Sequence, residues 1–493
     1  MIMAASGNIF YKTGADRLYY PLGTLTLLTL VFVVSKGIVS NTLLTIVGLV
    51  ALPIGAGYFW MILKNPRIAA WTVLVYVFIW SLLARYLFAF TRISLPFGLA
   101  VDALLVLTIV VAFISGGTKI SYKILQNPLV LLTFLWFFFV FLQLFNPVAT
   151  SKIAWFYAMR CYALYIFCTI IVVFLLLNKR SDMDTFIIIF ISCSIFGALY
   201  GWYQLNIGLN YADSIFIQPK LDRHMLFGKL RVFSIYENAG QAGVSQGHAG
   251  VIANILFIHE KRRRYKLFYG IGMLCCYYGM AISGTRGALA VPAIGMAVYL
   301  AWCRKPWITI SGGFLGLVIL FILMFTTIGQ SNYTINRMRT AFNPDDPSFQ
   351  YRMEARAHYE EYLNKYAFGW GIGTAGYWGN RFNGENNIMT GTDGGYVQIQ
   401  AEVGIVGLVF YWIYYGVILG MTFLMLWKCR DDDLYPKVLA LCCGIMGLLV
   451  ANYGNSVIYQ LPSNIIVSMS LAYIWMARKW AKGASFPVFK SNF

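Results

Sequence analysis

Long apolar runs separated by short, mostly basic breaks make up most of the chain. Candidate membrane spans fall near residues 19–35, 38–63, 68–88, 97–115, 128–145, 153–177, 185–206, 241–259, 265–283, 287–303, 307–328, 396–427, 434–456 and 461–477. A helix needs about 20 apolar residues to cross a bilayer, so this pattern predicts an all-α polytopic membrane protein with about 14 transmembrane helices. Two connections are much longer than the rest, 207–240 and 329–395. The second is rich in aromatics and carries a helical segment at about 347–364, where Asp346 can cap, Pro347 suits the first turn and Glu361 stands four residues before Lys365. The run Gly369-Trp-Gly-Ile-Gly-Thr-Ala-Gly376 that follows reads as a tight connection rather than a phosphate loop. Four regions result: N-terminal membrane helices with the first outer loop (1–240), central membrane helices (241–328), the long outer loop (329–395) and C-terminal membrane helices (396–493).

Composition narrows the class. Of 493 residues, 59% are hydrophobic and 12% charged, with mean hydropathy +0.67, which excludes a soluble globular protein. With both termini taken as cytoplasmic, the inner side receives 22 of the 38 basic residues but only 7 of the 19 acidic ones. Most of the net +19 is therefore membrane topology and not a nucleic-acid signal. The first apolar run follows Lys12 and Arg17 without a small-x-small cleavage pattern and reads as the first span. All nine cysteines lie in or beside apolar segments, and the four histidines are dispersed, so neither a disulfide framework nor a metal or cofactor site is expected. Asp182-Met-Asp184 and Asp431-Asp-Asp433 fit a loose D-x-D pattern, but their short cytoplasmic loops leave no room for a nucleotide-binding domain. In the eighth span, Gly240, Gly243, Gly247 and Gly250 suit close helix contact, with His248 as a hydrogen-bonded interhelical residue.

Ionisable residues at membrane level tend to face a cavity, a partner or water. Arg231 lies just before the eighth span, Arg286 between the ninth and tenth, and Arg160 near the outer end of the sixth. Arg352 and Arg356 stand one turn apart on the loop helix. These arginines could converge on one outward-facing pocket, where their planar forks of donors match the oxygens of a lipid-linked pyrophosphate. Arg85 and Arg92 read equally well as snorkelling interfacial residues.

Three segments carry a family resemblance: Arg231-Val-Phe-Ser-Ile-Tyr-Glu-Asn-Ala239, Ser283-Gly-Thr-Arg-Gly-Ala288, and the stretch from Arg352 through the glycine turn to Asp393-Gly-Gly-Tyr-Val-Gln-Ile-Gln-Ala-Glu-Val-Gly-Ile-Val-Gly407. In order and spacing they resemble the O-antigen polymerase and ligase superfamily, multispanning enzymes that transfer glycans from an isoprenoid diphosphate. The resemblance implies a metal-independent, GT-C-like glycosyltransferase of the bacterial plasma membrane. Its substrate would be an undecaprenyl-diphosphate-linked oligosaccharide, its surroundings membrane lipid, and a chain-length-setting copolymerase a family-level partner.

Within that resemblance Arg231 and Arg286 take the leaving diphosphate, helped by Arg352 and Arg356. Asp393, then Glu237, is the candidate base. Arg160, Asn238, Tyr396 and Glu402 complete the substrate-binding set, although Glu402 reads first as a capping or interhelical polar contact. Asp393 stands where ligases of the family carry a histidine, and His358 precedes the glycine turn and does not replace it. A repeat-unit polymerase for exopolysaccharide, capsule or O-antigen is thus favoured over an O-antigen ligase or a protein O-oligosaccharyltransferase. A lipid-linked sugar flippase is the rival from another class; polar features gathered in the outer loops favour the enzyme.

Overall fold

The computed structural model describes residues 42–116, 126–226, 228–330, 333–340, 347–383 and 394–481. It is helical almost throughout, with one two-residue hairpin pairing Met225–Leu226 with Lys229–Leu230. Thirteen of the fourteen expected spans are helices: α1 Thr42–Lys64, α2 Arg67–Thr91, α3 Phe97–Gly116, α4 Pro128–Leu142, α5 Lys152–Leu176, α6 Arg180–Asn206, then, after the short α7 Tyr211–Ile217, α8 Ala239–His259, α9 Arg263–Ile282, α10 Arg286–Trp302 and α11 Pro306–Phe325. The long outer connection holds α12 Tyr333–Arg339, α13 Pro347–Lys365, at the expected position, and α14 Gly376–Asn383. The last three spans are α15 Gly395–Lys428, α16 Tyr435–Ala451 and α17 Ser463–Trp480. The first expected span, 19–35, lies outside the described residues.

Local chemistry sets many of the helix ends. Asn127 accepts the Leu129 N–H (2.9 Å) with Pro128 opening α4, Ser151 accepts the Ala154 N–H (3.2 Å) at α5, and Asn238 accepts the Gln241 N–H (2.8 Å) at α8. One boundary departs from expectation. The thirteenth span ends at Ala451, not near 456, and residues 452–462 fold as a separate connection whose carbonyls and side-chain amides bind neighbouring backbone.

Among the described residues seven helices, α2 to α6, α11 and α15, are long and apolar enough to cross a membrane. Of the remaining ones, α8, α16 and α17 sit inside the bundle. α8 carries Gln241, Gln246 and His248 and is buried along most of its length, whereas α11 has no buried residue and is among the most apolar. Helices facing lipid must be apolar, but a helix shielded by neighbours need not be.

Small residues make that shielding possible, as the sequence leads one to expect. A Cβ on Gly243 would stand 2.4 Å from Ser283 Oγ, and one on Gly250 2.7 Å from the Tyr277 ring. A Cβ on Gly447 would stand 2.5 Å from the Val291 carbonyl oxygen, so α16 and α10 meet backbone to backbone. His248 departs from expectation: its ring packs 5.3 Å from Phe190, and its Nε2 has no partner among the described residues.

At one end of the bundle, acidic residues meet basic ones from other connections. Arg67 pairs with Asp182 (3.6 Å), Arg304 with Asp431 (2.8 Å), Arg180 with Asp433 and Lys437 with Asp184. Both D-x-D tracts are engaged in these pairs. Asp182 also accepts the Lys179 N–H (2.9 Å), closing the first turn of α6. Asp433 is held down to about 2, first by the hydrogen bond from Arg180 and then by Asp432.

Gly447→Ala is expected to force α10 and α16 apart and cost about 1–3 kcal/mol. Thermal unfolding in detergent should show a lowered midpoint, whereas Gly416→Ala, where a Cβ meets nothing within 4 Å, should leave it unchanged.

Candidate functional site

The opposite end of the bundle gathers the polar segments. Its hub is the turn Ser283-Gly-Thr-Arg286 between α9 and α10. Gly284 takes the left-handed conformation (φ 59°), and Ser283 Oγ donates to the Met280 carbonyl (2.7 Å) while accepting the Thr285 N–H (3.2 Å). The Thr285 hydroxyl donates to the Ala239 carbonyl (2.9 Å) and accepts from Arg231 Nη2 (3.3 Å). From the long 326–394 connection, α12 folds back onto the same turn. Arg337 Nε donates to the Gly284 carbonyl, and Arg286 Nη1 donates to the Thr340 hydroxyl (3.1 Å). Arg231, Arg286 and Arg337, half-buried and from three distant segments, thus surround one turn.

Arg231 is positioned from behind by a buried ion pair. Arg85 Nη1 binds Asp213 Oδ1 (2.7 Å) with both side chains shut away from solvent, and Arg85 Nη2 donates to the Ser234 carbonyl (2.7 Å). Asp213 Oδ2 accepts from Tyr200 (2.8 Å) and Gln204 (2.9 Å), and Gln204 Oε1 takes the Ser234 N–H (2.8 Å). Ser234 is left-handed at φ 54°. Both its backbone polar groups are held, which fixes the path of residues 231–238. Arg85 is therefore a structural anchor and does not snorkel. Arg92 is exposed at the end of α2, its Nη2 3.3 Å from the Tyr211 hydroxyl.

The glycine turn grips α15. At Gly404 (φ 67°) the helix loses its regular bonding, and the turn supplies the missing partners. Val406 N–H donates to the Ala367 carbonyl (3.1 Å), Gly371 N–H to the Glu402 carbonyl (2.9 Å) and Trp370 N–H to the Ala401 carbonyl (2.9 Å). A Cβ on Gly369 would stand 2.4 Å from the Gly404 nitrogen. The Glu402 carboxyl is buried beneath, accepting from the Ala375 N–H (3.2 Å) and from Gln398 Nε2 (3.5 Å).

The remaining candidates divide. Asn238 caps α8 beside the hub, and Glu237 is exposed next to it, its N–H bound by Gln241 (3.2 Å). Arg160 pairs with Asp102 (2.8 Å) in a π-helical stretch of α5, and Tyr396 donates to the Leu449 carbonyl (2.5 Å) and stacks on Trp412. Neither has a contact with the hub turn among those described above. Arg352 and Arg356 lie on α13; their side chains, and Asp393 entirely, lie outside the described residues. Sequence reasoning missed Arg337 and Thr340, which carry no motif and reach the hub only because α12 folds back.

Residues 271–412 match the family model described as O-antigen ligase. The resemblance to the O-antigen polymerase and ligase superfamily is borne out over that region, which contains Arg286, Arg337, the glycine turn and Glu402 but not Arg231. No curated protein matches the chain.

Arg85→Leu leaves Asp213 buried without its countercharge and should cost about 3–5 kcal/mol, part of which Arg85→Leu/Asp213→Asn should restore; thermal unfolding of the two variants checks this. Gly369→Ala, strained at φ 73° and driven into Gly404, should release the turn from α15. Limited proteolysis should then cut the 366–376 segment faster than in the parent protein.

Proposed function

We propose that the chain is a polysaccharide polymerase that joins isoprenoid-diphosphate-linked repeat units on the outer face of the plasma membrane. The observation that carries this reading is the meeting of Arg231 and Arg286 at one turn, opposite the end where acidic residues pair with the other basic connections. The family match to residues 271–412 supports the coarser statement, a glycan polymerase or ligase acting on lipid-linked substrates.

In the proposed reaction the acceptor's sugar hydroxyl attacks the donor's anomeric carbon. The new glycosidic C–O bond forms as the bond to the lipid diphosphate breaks, and the hydroxyl proton passes to a carboxylate. The leaving diphosphate takes the bonding electron pair. Guanidinium groups already in place stabilise that developing charge without reorganising during the step. Arg231 and Arg286 take this role, with Arg337 beside them and Arg352 and Arg356 of the loop helix α13 as helpers. Asp393 is the proposed base and Glu237 the alternative. A carboxylate where ligases of the family carry histidine favours elongation of repeat units over transfer of a finished chain.

The purified protein, supplied in detergent with lipid-linked repeat units, should lengthen the glycan on the lipid. Arg231→Ala and Arg286→Ala should each lower the rate at least 100-fold, the scale of removing one transition-state donor, at unchanged expression. Well-folded protein that yields no longer glycan would overturn the polymerase reading, and full activity in both variants would remove the two arginines from the mechanism.

A further inference from the structure

The connection between α16 and α17, residues 452–462, meets two of the segments that carry the family resemblance and reaches Gly240, the residue after the other one, yet the sequence pattern places most of its first half inside a span. At its start, Gly395 N–H donates to the Asn452 carbonyl (2.8 Å), and a Cβ on Gly394, the neighbour of Asp393, would stand 2.4 Å from the Tyr453 carbonyl oxygen. Two residues on, the Asn455 carboxamide lies between the 283–288 segment and Gly240 at the start of α8. A Cβ on Gly287, next to Arg286, would stand 2.8 Å from Asn455 Nδ2, and one on Gly240 would stand 3.6 Å from Asn455 Oδ1 and 3.1 Å from Asn238 Oδ1. Glycine at both positions leaves room for this amide.

The connection is anchored on both sides of Asn455. Asn452 Oδ1 accepts the Ile458 N–H (3.3 Å), the Asn455 carbonyl accepts the Val457 N–H (2.7 Å), and Asn464 Nδ2 binds the Cys161 carbonyl (2.7 Å) and the Ile458 carbonyl (3.2 Å). Asn455 itself is half-buried, and its carboxamide makes no hydrogen bond to any described residue. A partly desolvated amide on a rigid support, beside an arginine cluster and without a partner among the described residues, is placed for a ligand.

We infer that Asn455 is a substrate-contacting residue that binds hydroxyl groups of the sugar attached to the lipid diphosphate; this rests on the polymerase reading above. The chemistry separates the two halves of such a substrate. Guanidinium groups suit the charged diphosphate, whereas a neutral amide, donor on one side and acceptor on the other, matches a hydroxyl that both donates and accepts. Asn455 therefore contributes to recognition of the glycan and not to binding of the charged headgroup.

The test compares two probes on the full chain in detergent: undecaprenyl diphosphate, and the lipid-linked glycan extracted from the host's own membranes. Asn455→Ala should weaken binding of the glycan-bearing lipid about tenfold, the scale of one neutral hydrogen bond, and leave undecaprenyl diphosphate within twofold of the parent. Gly287→Ala, with Asn455 intact, should show the same selective loss because its methyl group displaces the amide. Asn455→Ala/Gly287→Ala should be no worse than Asn455→Ala, since both act on one contact. If Asn455→Ala lowers the unfolding midpoint, the near-isosteric and uncharged Asn455→Leu gives the same comparison. Unchanged binding of both probes, or parallel loss of both, overturns the inference. Failure of the polymerase reading looks different: the parent protein binds neither lipid better than Arg286→Ala does.

Discussion

The pair formed by Arg85 and Asp213 dictates how the hub end of this bundle is built. Two opposite charges withdrawn from water at the rim of a membrane are tolerated only when every remaining donor and acceptor is satisfied. Here that requirement draws in α2, the end of α6, α7 and the backbone at Ser234. The network encloses the charges and, in the same stroke, fixes residues 231–238. Arg231 leaves that segment toward Thr285, and Asn238 ends it by capping α8. The position of the first candidate arginine is thus set by charges with no contact to the hub.

Backbone sharing holds the second half of the outer region. A helix interrupted at Gly404 exposes polar groups that must be paired. The 367–371 segment pairs them, so the kink and the glycine turn are one feature written in two places. Gly369 and Gly404 approach more closely than any side chain permits, and the buried Glu402 carboxyl fills the space under the turn. The loop following α13 is docked on α15 by hydrogen bonds whose directions leave little freedom, which suits a site that must hold charged groups still.

Much of the helix content was legible because lipid imposes a simple rule. Runs of apolar residues near 20 long could be little else, and the basic breaks sorted the two ends. Charged residues were less legible. Arg85 is left undecided between a snorkelling side chain and a site residue because its partner Asp213 lies 128 residues away. Arg160 joins the candidate set by its place near the end of a span and Tyr396 by its place in a motif, and their partners are Asp102 and the Leu449 carbonyl. Asn455 escaped because hydropathy smooths over a single amide among apolar neighbours, so the end of α16 was drawn too late. These differences have one source: hydropathy reports whether a segment can enter lipid, while the role of a polar residue depends on which distant segment packs against it.

The same logic explains why the hub is not a contiguous motif. The turn at 283–286 supplies only Arg286 and a set of carbonyls and hydroxyls. Arg231 comes from the segment before α8, Arg337 from α12, and Asn455 from a connection beyond the family match. Short helix ends offer few side chains each, so a protein whose bulk lies in the membrane must collect groups from several connections to build a polar site at its surface. Glycines at 240, 284, 287 and 394 are where these connections touch. A site assembled this way depends less on any one loop sequence than on how closely the helix ends approach, and that closeness follows from the small residues packed between α8, α9, α10 and α16.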